Sequence, residues 1–169
     1  MPGEMDSKRR QYESLLISAG CDPRVIAHCR TVCDIAFCLA GNSPFVDRDL
    51  LLAGAMLHDI GRSKTHAIDH AQAGADYCRS VGIDERVCRI IECHTGAGIT
   101  ADECSLLRLA PRNCIPETLE EKLVTDADNL VKGHHRIIIG ESIGDIFYLP
   151  RKVRRRMYRL HSEVLLTCD

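Results

Sequence analysis

From Leu50 to Leu57 every residue is apolar, and the run ends in His58 and Asp59. A helix that is apolar on all sides is enclosed by protein. On its wheel His58 stacks over Leu51, Gly54 and Ala55, and Asp59 over Leu52, Ala55 and Met56, so both side chains point inward. A buried carboxylate must find a cation or take up a proton. Either an arginine or a metal ion meets that need, and a neutral imidazole beside a carboxylate is half of a metal site.

Further histidines fall on other apolar faces. His28 shares a face with Val32, Ile35 and Leu39, His94 continues the stripe of Val87, Ile90 and Ile91, and His70 opens the helix after the His-Asp turn. TDADNL offers two more carboxylates. Asp126 and Asp128 lie about equally far to either side of the apolar face centred on Ala127, and periodicity does not choose between them. His66 reads as a surface residue, while His134, His135 and His161 take no role from the pattern.

The series His28, His58-Asp59 in HDIGR and Asp128 in ADNL resembles the signature of the HD superfamily of metal-dependent phosphohydrolases. The resemblance runs from about residue 20 to 133. It implies an all-α fold in which His28, His58, Asp59 and Asp128 hold one metal, the ADxL context selecting Asp128 over Asp126. His70 in HAQAGA and His94 in ECHTGAG look like the two extra histidines of the binuclear branch, where Asp59 would bridge two metals. The HTG triplet is similar to that of HD hydrolases that split symmetrical dinucleoside tetraphosphates. Where the branch that cleaves cyclic dinucleotides has a second histidine, this chain has Thr95.

Four imidazoles with two carboxylates suit a borderline ion better than magnesium, which prefers oxygen and keeps its water. Iron or manganese is expected, with zinc, cobalt and nickel also suited, as one or two ions. Such ions activate water and polarise a phosphoryl oxygen. Arg62 and Lys64, just past the His-Asp turn, are the candidates to neutralise phosphate charge, so the catalytic group is Asp59, Arg62 and Lys64. The reading is a phosphohydrolase acting on an ester or anhydride of a nucleotide. The alternatives are a di-iron oxygenase of the same family, and a non-catalytic nucleotide or RNA binder with a structural metal.

These side chains must be positioned by helices. Aromatic residues are 4% of the chain, tryptophan is absent, and no stretch alternates long enough for a strand. Asp22 with Pro23 starts a helix that stops at Gly41. Asp47 caps a second released at Gly61, Asp69 caps a third ending before Gly82, and Asp84 opens a fourth. Thr100 with Glu103 and Thr118 with Glu121 are capping boxes, the second helix ending at Gly133. A last helix spans 152–166, and 134–150 admits helix, turn or strand. The expected architecture is an all-α single-domain bundle of about six to seven helices: an N-terminal helix over 1–20, an HD metal-binding core over 21–133, and a helical closure over 134–169.

At 169 residues the chain suits one domain, and 45% hydrophobic with 27% charged residues and a net charge of -2 excludes disordered and fibrous classes. No apolar run is long enough to span a bilayer, and the polar opening MPGEMDSKRR has no apolar segment after it, so no membrane partner or export is expected. Ten cysteines without a C-x-x-C pair read as thiols, with Cys29, Cys33 and Cys38 on one buried helix face, in a reducing cytoplasm. The expected partner is a small phosphorylated substrate. Six cations within 151–159 admit nucleic acid, but a solvated helix face is favoured there, and a homodimer is left open.

Overall fold

The computed structural model describes residues 2–167. Nine α-helices are present among them: α1 (Pro2–Ala19), α2 (Pro23–Ala40), α3 (Arg48–Leu57), α4 (His70–Ser80), α5 (Glu85–Cys93), α6 (Ala101–Leu106), α7 (Leu119–Asn129), α8 (Ile139–Asp145) and α9 (Arg151–Thr167). A single 3-10 turn, Ile60–Ser63, follows α3, and a hairpin of β1 (Val131–Lys132) and β2 (His135–Arg136) follows α7. The fold is all-α, with more helices than the six to seven expected. The surplus comes from pieces such as α8, too short to show an apolar stripe.

Local chemistry sets most helix starts. Asp22 accepts from the backbone of Arg24 at 2.8 Å, Asp47 from Leu50 at 3.1 Å, and Asp84 from Arg86 at 2.8 Å, satisfying amides that a helix start leaves unpaired. Both capping boxes form, at Thr100 with Glu103 and at Thr118 with Glu121. Asp69 precedes α4 but makes no side-chain cap. Its carboxylate accepts instead from the Thr65 hydroxyl at 2.9 Å. Gly133 does not end α7, which stops four residues earlier. It takes a positive φ of 65° in the two-residue hairpin turn, a region open to glycine.

α3 is the central element, buried from Leu50 through Leu57 and packed against α1, α2, α5 and α7. Its all-apolar surface is the consequence of having protein on every side. Gly54 lets α5 approach: a Cβ there would stand 2.7 Å from Cδ1 of Ile90. Gly61 does the same for α4, since its Cβ would strike the His70 carbonyl oxygen and come within 2.6 Å of the Gly74 amide. Close packing thus seats the His-Asp turn on the first turn of α4. α9 lies along α7 and α8 and covers the loop that follows α5.

Eight of the nine described cysteines are buried, and all nine are free thiols. Cys29 and Cys33 share the buried face of α2, but Cys38, nine residues and so about 180° around the helix from Cys29, is exposed on the opposite side. No helix among the described residues is long and apolar enough to cross a membrane.

Candidate metal centre

Six side chains from five helices meet beside α3. α2 contributes His28. The end of α3 contributes His58, with Asp59 following at φ -100° and ψ 14° in the transition to the 3-10 turn. His70 is the first residue of α4, His94 directly follows α5, and Asp128 is in the last turn of α7. Helix ends suit this task because their backbone groups are unpaired. The Nδ1 of His58 lies 2.8 Å from the Ala55 carbonyl and that of His94 2.6 Å from Ile91, each three residues earlier, and His70 uses Ala67 in the same way at 2.8 Å. His28 lies within its helix and has no such carbonyl in reach. Its Nδ1 meets the Gly133 carbonyl of the hairpin turn at 2.7 Å.

A carbonyl only accepts, so each Nδ1 carries the proton and each neutral ring presents a lone pair at Nε2. Those lone pairs converge. The Nε2 atoms of His28 and His58 stand 3.2 Å apart, and those of His70 and His94 3.1 Å apart. Facing lone pairs repel unless positive charge lies between them. Asp128 Oδ1 joins the first pair, 2.9 Å from His28 and 3.6 Å from His58. Asp59 divides its oxygens: Oδ2 is 3.8 Å from His28 and 4.0 Å from His58, while Oδ1 is 3.3 Å from His70 and 3.5 Å from His94. Ligand-capable atoms of His28, His58 and Asp128, and of His58, Asp59 and His94, are each close enough to share one ion.

Protonation follows the same demand for positive charge. Burial alone would raise the carboxyl of Asp59, yet His94 and His58 hold it far below its ordinary value. Asp128 behaves likewise, with burial overcome by His28 and His58. Burial would lower the His58 imidazole, but neighbouring Cys29, Asp128 and Asp59 push it well above the usual range, so that without a cation this ring takes a proton at Nε2, the position a bound cation would occupy in its place. His70 goes the other way: burial and the adjacent His94 bring it down to about 4. The donor set therefore fits a divalent cation. Next to His94, the Thr95 hydroxyl is buried without a hydrogen-bond partner.

The cluster has an open and a closed end. His58, His70 and His94 are buried, whereas the side chains of His28 and Asp128 remain 14% and 22% exposed and form the solvent side. Arg62 stands at the rim, its Nε 3.1 Å from Asp59 Oδ1 and its Nη1 3.0 Å from the His66 carbonyl. Lys64 places its Nζ 5.1 Å from the centre of the Tyr77 ring. Asp126 faces away from the cluster and is fully buried against His161 of α9, Oδ2 to Nδ1 2.9 Å. Two residues along a helix turn about 200°, which separates the two aspartates. Sequence patterns gave no signal for the Gly133 carbonyl, for Cys29 beside His58, or for the pairing of Asp126 with His161.

The sequence matches the HD domain family over residues 25–156. The chain belongs to the HD family. It is 40% identical over 148 residues to an uncharacterized protein of Methanocaldococcus jannaschii, covering 85% of this chain and 83% of that one. It is also 44% identical over 156 residues to a tRNA (cytidine(56)-2'-O)-methyltransferase of Picrophilus torridus, covering 91% of this chain. A protein of the same name from Thermoplasma volcanium is 45% identical over 123 residues. The chain spans only 45% and 36% of these two methyltransferases. No solved structure matches it significantly.

Proposed function

We propose that this chain is a metal-dependent phosphohydrolase that cleaves a phosphate ester or anhydride of a nucleotide. The carrying observation is the convergence of four imidazole Nε2 atoms and two carboxylates, with Asp59 turning one oxygen to each histidine pair. In this reading His28, His58, Asp59 and Asp128 hold one ion, and Asp59, His70 and His94 a second, iron or manganese suiting such donors best. Bound cations supply Lewis acidity toward water and toward a phosphoryl oxygen. Arg62, beside Asp59, donates to the non-bridging phosphate oxygens, and the carbonyls holding each Nδ1 keep the rings aimed. The open edge at His28 and Asp128 admits the phosphate.

Asp59→Ala tests this directly. Metal content by elemental analysis and hydrolysis across a panel of nucleoside mono-, di- and polyphosphates are both expected to vanish, with the helical circular dichroism kept. Full hydrolysis in that variant removes the reading. Oxygen uptake by iron-loaded protein, with no phosphate released, replaces it by the oxygenase alternative.

A second reading concerns what carries the phosphate. Two relatives are named as tRNA methyltransferases, and each contains the region similar to this chain as less than half its length. On that ground the substrate is RNA-linked, with the phosphate at or released from an RNA strand.

A further inference from the structure

The corner formed by α8, the 146–150 turn and α9 joins free positive charge to exposed aromatic rings. Six cations fall within 151–159, and the ion pairs sort them. Lys152 and Arg156 are engaged by Glu103 at 3.1 and 2.8 Å. Arg151, Arg154, Arg155 and Arg159 have no carboxylate within ion-pair distance among the described residues. All four are guanidinium groups, which grip phosphate with two parallel hydrogen bonds and also stack on flat rings.

Grooves run along both flanks of α9. One, of about 550 Å³, lies between α9 and the 115–116 loop, with Arg155, Arg159, the Lys122–Glu163 ion pair (3.3 Å) and Ala97, three residues past His94, on its walls. The other, of about 540 Å³, is lined by Ile143, Tyr158 and the four free arginines. Each is large enough for a nucleotide. Beside them Phe147, Tyr148 and Tyr158 are 71%, 81% and 57% exposed. Arg154 already stacks on Phe147 at 4.4 Å and leaves most of that ring open. A merely solvated basic face would not need three exposed rings at the same corner. Backbone-tracking cations beside rings that offer π-faces are what unpaired bases on a phosphate chain require, whereas a duplex hides those faces.

We infer that the α8–α9 corner binds single-stranded RNA, its phosphates on Arg151, Arg154, Arg155 and Arg159 and its bases on Phe147, Tyr148 and Tyr158. The choice of RNA rests on the RNA-linked reading above.

Fluorescence anisotropy of the full chain with a labelled oligouridylate of 15 nucleotides tests this. Log Kd should rise by about 3 per tenfold increase in salt, as four cations on single-stranded phosphates predict. Arg155→Glu with Arg159→Glu should weaken binding at least tenfold, and Tyr148→Ala about fivefold with the salt slope unchanged. Unchanged thermal unfolding shows that both variants fold. RNA held at least as tightly as the matching DNA, and more tightly than an RNA duplex, supports the inference. It is overturned by absent binding at 50 mM salt, full affinity after charge reversal, tighter binding of duplex or DNA, or displacement by polyglutamate at equal charge, which marks an acidic protein as the occupant. Asp59→Ala should bind the strand as wild type does. Binding without hydrolysis therefore sinks only the phosphohydrolase reading, and hydrolysis without binding sinks only this one.

Discussion

Each imidazole of the cluster spends one nitrogen on a carbonyl, and this leaves Nε2 no alternative but to face its neighbours. The resulting pairs are separable. If the shallow pair and the deep pair hold one ion each, His28→Ala and His70→Ala each take the manganese stoichiometry from two to one. Titration calorimetry reads the change, and two ions retained in either variant would break the assignment. Residue type and position made His28, His58 and His94 legible, because each falls on an apolar face, whereas His70 stood out only as the residue that opens the helix after the His-Asp turn. Spacing could not separate Asp126 from Asp128. Only the resemblance selected the second, and its closeness to His28 and His58 is a tertiary fact.

Helices hold the two aspartates in opposite environments. Asp126 is sealed between α7 and α9, and burial raises its carboxyl above the ordinary range while His161 opposes the rise. His161→Ala leaves that carboxyl buried without its partner, at a cost of about 3 kcal/mol. Thermal unfolding should drop by roughly 6 to 12 °C. Metal binding should persist, since Asp128 faces the other way. A drop under about 2 °C would mean that the pair does not tie α9 to α7. The caps at Asp22, Asp47 and Asp84 and both capping boxes were readable because they are local. Asp69 misled because a competing hydroxyl, Thr65, lies four residues away and takes its carboxylate.

Across the whole molecule, opposite charges fix α9 over the loop that follows His94. Glu103 binds Arg156 and Lys152, and Arg156 also donates to the Gly98 carbonyl at 2.8 Å. Burial would raise the Glu103 carboxyl, but Arg156, the Thr100 amide and Lys152 bring it down to about 2 from an ordinary 4.5. A carboxyl lowered on folding contributes stability above its unfolded value, and that contribution fades as pH falls from about 4.5 through about 2. Glu103→Gln should therefore unfold a few degrees lower than wild type at pH 7, for a loss on the order of 1 kcal/mol after solvent screening. The two should converge near pH 2. A difference of the same size at both pH values would assign the effect to packing.

By itself the sequence determined most of what is periodic or local: an all-helical chain, five of its caps, an enclosed α3, and histidines placed on buried faces. Those features depend on residues within a turn or two of each other. Tertiary structure decided what depends on separation in space. It gave the hairpin carbonyl its role beside His28, turned Asp126 to α9, took Lys64 to Tyr77, and sorted the arginines of α9 into engaged and free. Contacts between residues 28 and 133, or 103 and 156, leave no trace in a helical period, because nothing in one segment's spacing encodes which distant segment will face it.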